Sequence, residues 1–159
     1  MPSQFRNALA LYLLLLPTSG ISQLGDQLDG PEIIFAPSNY QFSEAEEASI
    51  EHIIKESANA VRTLLPSLPS YIRVSVSTLN RDVTEVGGVV GSADTPTSIS
   101  IRISTLFEGG IIAASQTGLA AALYHEFHHL ARGWTMEGNR FGPGIRIAAV
   151  NEGLATVFS

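Results

Sequence analysis

Two stretches of this chain place an apolar residue at every second position. They are Ile72, Val74 and Val76 within Tyr71–Ser77, and Ile99, Ile101 and Ile103 within Ser98–Ser104. A period of two sends those side chains to one face of a strand and the intervening serines and arginines to the other. Each stretch therefore reads as a half-buried strand, and something else in the chain has to cover its apolar face.

Helical segments supply that cover. Ser43 followed by Glu46 has the spacing of a capping box, in which each side chain satisfies a backbone N–H at the start of a helix. Ile50, Ile53, Ile54, Val61, Leu64 and Leu65 then recur at helical spacing as one buried stripe, and Pro66 and Pro69 end the helix. A second long helix is expected from about Thr117 to Arg132, after a Gly109–Gly110 break and with Gly133 placed to cap its end. A glycine-rich loop covers 133–144, and a third helix begins near Ile145. Gly87, Gly88 and Gly91 read as a bend or tight hairpin, and Asp94–Ser98 as turn material. A short strand is expected at Glu32–Ala36. The order is helix, strands, helix, loop, helix, which sets the class as α+β with a small sheet.

At 159 residues and 45% hydrophobic composition, the chain fits one domain with a single core. A net charge of −6 without a Lys/Arg cluster argues against a nucleic-acid partner. The absence of cysteine excludes disulfides and thiolate metal sites. The segment from Met1 to Ser22 has a basic start, an apolar run Ala8–Leu16, and then Pro17, Thr18, Ser19 and Gly20. That is the order of a secretory signal peptide, with Gly20 and Ser22 as small positions before a cut at Gln23. The apolar run falls short of the roughly 20 residues that span a bilayer. The expected organisation is a signal peptide at 1–22, a leader or linker at 23–41 and a folded domain at 42–159. The expected location is secreted or periplasmic, with no membrane span after cleavage and 8 basic against 15 acidic residues in the mature chain.

The chemistry concentrates in His125-Glu126-Phe127-His128-His129. Residues four apart lie one turn apart on the same helical face, so His125 and His129 are placed to bind one ion, zinc by preference. Glu126, at the edge of that face, is placed to act as a general base towards water without ligating the metal. His125 and His128 are also helical neighbours, but that pairing leaves Glu126 without a role and His129 unexplained, so His128 reads as a flanking group. His52 reads as a surface histidine.

A catalytic zinc site needs a third protein ligand and one open position. Beyond His129 the only acids are Glu137 and Glu152, with no histidine or cysteine. The metzincin pattern, with glycine at 132 and histidine at 135, is excluded by Arg132 and Thr135. Glu137 falls in the glycine-rich loop, where a ligand is hard to hold rigidly. Glu152 falls within the last helix beside small Gly153 and Ala155, and is the expected third ligand.

The segment Tyr124–Arg132, taken with Asn151-Glu152-Gly153-Leu154-Ala155, resembles the gluzincin metallopeptidases, which combine His-Glu-x-x-His with a downstream helical glutamate. The resemblance covers about Gly87–Ser159. It implies a zincin-like fold with the Ser43–Leu65 helix as backing helix. It further implies one zinc on His125, His129 and Glu152, Glu126 as base, and a peptide or protein substrate. It also implies further helices after the glutamate and an oxyanion-stabilising residue, for which Arg132, Arg140 and Arg146 are the candidates. Ile99–Ser104 is expected to serve as the edge strand to which an extended peptide adds. The alternative from a different class is a secreted zinc-binding or protein-interaction module that has lost catalysis.

Overall fold

A computed structural model describes residues 30–132 and 145–159, with side chains of the last segment described from Glu152 onward. The signal peptide, the first part of the leader, the Gly133 cap, Glu137 and Arg140 lie outside the described residues, as does the Arg146 side chain.

The elements run β1 (Glu32–Phe35), α1 (Glu44–Leu64), β2 (Arg73–Leu79), a 3₁₀ turn (Thr84–Val86), β3 (Val89–Thr95) and β4 (Ser98–Ser104). They continue with α2 (Gly110–Ala114), a π-helical stretch (Ser115–Leu119), α3 (Ala120–Arg132) and α4 (Ile145–Phe158). The chain is thus α+β with a small mixed sheet of order β1-β2-β4-β3. β1 and β4 each run parallel to β2, and β3 is antiparallel to β4. Within the expected leader, Glu32–Phe35 is a strand of this sheet, so the folded unit reaches back before residue 42.

The alternating residues align across the strands. Val74 pairs with Ile99 and Val76 with Ile101, while Ala93 and Gly91 of β3 stand opposite the same two isoleucines. Val74, Val76, Ile99, Ile101 and Ile103 are all buried. Arg73 and Arg102, on the other face, are exposed. The covered face meets α1 and α3, whose Ile50, Ile54, Val61, Leu123 and Phe127 complete one core.

α1 starts as its sequence requires. Ser43 N–H donates to Glu46 Oε2 at 2.8 Å, and Glu46 N–H reaches back to Ser43 Oγ. Its buried stripe is Ile50, Ile54, Ser57, Ala58 and Val61. Leu64, expected in that stripe, is instead 64% exposed because the helix ends there and turns it outward.

Three further expectations are corrected. The bend expected at Gly87, Gly88 and Gly91 is confined to Gly87–Gly88, both at positive φ, whereas Gly91 and Asp94 lie in strand Val89–Thr95, held by its ladder to β4. The turn expected at Asp94–Ser98 narrows to residues 96–97. The strand expected at Tyr71–Ser77 is shifted to Arg73–Leu79, in register with β4 along its full length. The second long helix starts at Gly110, not at Thr117, because the Gly109–Gly110 pair caps it and Gly118 is absorbed inside.

β4 also proves to be a central strand between β2 and β3, so Ile99–Ser104 is not an edge. The edge strands among the described residues are β1 and β3. Among the described residues no helix is long and apolar enough to cross a membrane.

Candidate metal centre

α3 carries His125, Glu126 and His129, and α4 brings Glu152 against them. His129 Nε2 lies 3.1 Å from His125 Nε2, His125 Nε2 lies 3.2 Å from Glu152 Oε2, and His129 Nε2 lies 3.5 Å from the same oxygen. These residues form a group that could hold a metal ion. Donors at 2.0–2.2 Å from a tetrahedral ion stand roughly 3.3–3.5 Å apart, so the spacing suits zinc. One shared proton bridges only one of these pairs well, whereas a cation at the centre satisfies all three donors. The residues present therefore fit the ion.

The three ligand candidates differ in access. His129 is 4% exposed, while the Glu152 side chain is 46% exposed and the His125 side chain lies between them. The approach to the centre is thus over the Glu152 and His125 side. The two imidazoles are tilted edge to face, with ring centroids 4.8 Å apart.

His128 is not part of the group. Its ring is buried, lies 5.5 Å from Phe158 of α4, and its Nδ1 has no hydrogen-bond partner among the described residues. Burial, followed by the charges of Arg132, His129 and His125, lowers its pKa and keeps it neutral. His128 thus serves α3–α4 packing, together with Tyr124, whose ring meets Phe158 at 6.0 Å. His52 lies exposed on α1, and Arg132 is exposed at the end of α3.

Glu126 faces a different neighbour. It is buried against β3 at Gly91, where a β-carbon added to the glycine would lie 2.6 Å from Glu126 Cγ. Further along, Gly118 of the π-helical stretch meets the backbone of Gly87. A β-carbon at Gly118 would stand 2.6 Å from the Gly87 carbonyl oxygen. The strand edge and the helix thus approach closely at two glycine contacts. π-Helical insertions widen the turn and are frequent at functional sites. This one sets the phase with which α3 presents its histidines. Neither glycine contact is legible in the sequence, where Gly87 and Gly91 read only as punctuation and Gly118 falls inside the expected helix.

A cavity of about 550 Å³ opens along this seam, reaching His125 and Glu126. Val83, Val86, Val90, Ala121 and Ala122 give it an apolar wall, with Arg81 and Glu85 also lining it. Its size is that of a small-ligand site, roughly 300–1,000 Å³.

The fold and centre together define an α+β domain with a candidate three-donor metal site at a strand edge. The chain matches no protein-family model, no curated protein and no solved structure.

Proposed function

We propose that this protein is a secreted, zinc-dependent metallopeptidase of gluzincin type with a zincin-like fold. The observation that carries the reading is the convergence of His125, His129 and Glu152 donor atoms from two helices, with buried Glu126 beside them at the head of an apolar cavity. The local chemistry of the His-Glu-x-x-His segment accounts for each group. His125, His129 and Glu152 would hold zinc, which when bound supplies Lewis acidity towards water and a peptide carbonyl. Glu126 accepts the proton of the attacking water at its carboxylate and returns it to the leaving amine nitrogen, so the base ends each turnover ionised.

Substrate binding falls to β3 in place of β4. β3 has β4 on one side and, among the described residues, no strand on the other. An extended peptide adding there forms backbone hydrogen bonds and passes Glu126, with an apolar side chain entering the cavity walled by Val83, Val86, Val90 and Ala122. The test is digestion of a peptide library by the full-length protein with and without a chelator. The expected result is cleavage that needs zinc and clusters beside apolar residues. Stoichiometric zinc binding with no cleavage of any peptide would replace this reading with that of a metal-binding module.

A further inference from the structure

β3 turns Val89, Gly91 and Ala93 to the helix-covered face of the sheet, and both Val89 and Ala93 are buried there. Gly91 occupies the middle of that stripe, opposite Ile101, which in turn pairs with Val76. A branched side chain is what such a position ordinarily takes, because glycine weakens a strand and packs nothing. The space that a side chain would fill is instead filled from above by Glu126. A β-carbon at Gly91 would lie 2.6 Å from Glu126 Cγ, 2.8 Å from Oε1 and 3.1 Å from Cδ.

The nearest of these atoms, Cγ, is near the root of the side chain, so a small swing of the carboxylate does not relieve the overlap. Glu126 would have to change χ1 or α3 would have to lift off β3. Glu126 is 6% exposed, so a change of χ1 would have to carry the carboxylate away from β3, into packed neighbours or the cavity that it lines. Gly91 has an ordinary strand backbone with no positive φ, so backbone conformation does not explain the glycine. What explains it is the close approach.

We infer that Gly91 is the positioning residue for Glu126: the absence of a side chain on the edge strand fixes where the Glu126 carboxylate stands. This deepens the peptidase reading and rests on it for its kinetic consequence. The packing consequence stands apart from catalysis.

The experiment is a double-variant cycle with two readouts. In metal-free protein, Gly91→Ala is expected to lower Tm by a few degrees, and to lower it much less when Glu126→Ala has already removed the carboxylate stem. In zinc-loaded protein, misplacement of a catalytic group by about 1 Å costs up to ~10²-fold, so Gly91→Ala is expected to cut kcat at least tenfold. KM should stay within about twofold and zinc near one per chain. Equal Tm losses in both backgrounds, or wild-type kcat in Gly91→Ala, would overturn the assignment. If Gly91→Ala alone does not fold, recovery of folding in Gly91→Ala/Glu126→Ala supports it and failure to recover overturns it. A wild-type protein that cleaves nothing removes the peptidase reading, and the Tm cycle then decides the assignment by itself.

Discussion

Side chains three residues apart on α3 face different neighbours. Glu126 faces β3 and lies outside the donor group, whereas His129 is one of the three donors. Glu126→Gln keeps the shape of the side chain and leaves the donors untouched. Zinc content and Tm should stay near wild type while turnover falls by at least the lower bound of general-base contributions, on the order of 10²–10⁴. His129→Ala should abolish near-unit zinc stoichiometry after dialysis. His128→Ala should keep the zinc but lose Tm, because its ring packs on Phe158 and points no donor at the group. Chelator-sensitive turnover that survives in Glu126→Gln would rule out the base. Equal zinc loss in the two histidine variants would rule out the assigned donors. At this scale the sequence was informative wherever the chemistry is local. The four-residue spacing of His125 and His129 is a helical property, and Glu152 emerged by elimination of other ligands. Gly91 was not legible because its significance lies in contact with a residue distant in the chain.

The start of α1 was legible for the same local reason, and its chemistry gives a pH test. Glu46 lies half-buried, and burial alone would raise its carboxyl pKa. The Ser43 backbone N–H, the Tyr40 hydroxyl and the Ser43 hydroxyl all donate to the carboxylate, and together they outweigh burial and lower it. A carboxyl with a lowered folded-state pKa stabilises the protein above its unfolded value, about 4.3 for glutamate, and that contribution is lost as pH falls through the folded value. The Tm difference between wild type and Glu46→Gln should therefore be full at pH 7 and shrink below about pH 4. A difference unchanged at pH 3 would show that the carboxylate's charge plays no part. For Ser43→Ala, loss of the cap should cost about 1 kcal/mol. β3 escaped sequence reading at this same scale. Gly91 and Asp94 have poor strand propensity, and the ladder to Ile99–Ile103 makes the segment extended. The early start of the α2–α3 helical run was hidden likewise, because Gly109–Gly110 reads as a break although it caps a helix.

The described residues divide into a sheet-and-helix core held by apolar packing and a fourth helix attached at the candidate metal centre. α1, the inner sheet face and α3 share one continuous core. α4, among its described side chains, meets α3 through Glu152 and through Phe158 against Tyr124 and His128, while Leu154 and Val157 are exposed. Without a cation, three electron-rich donors face one another at this junction, so α4 is the element whose docking zinc should strengthen most. A ligand that binds only the folded state adds RT ln(1 + [L]/Kd), about 4 kcal/mol at a thousandfold excess over Kd. That gain appears in local opening only where the bound state requires the element to be in place. Hydrogen exchange with and without zinc should accordingly show strong added protection across the α4 amides and the last turn of α3. The amides of β2 and β4, already central in the sheet, should change little under conditions where they exchange by local opening. Glu152→Gln replaces an anionic donor with a neutral amide and should erase the zinc-dependent protection of α4 while leaving the sheet as it was. Uniform protection of all elements would mean that α4 and the core open as one unit. No zinc effect in wild type would remove the metal centre itself.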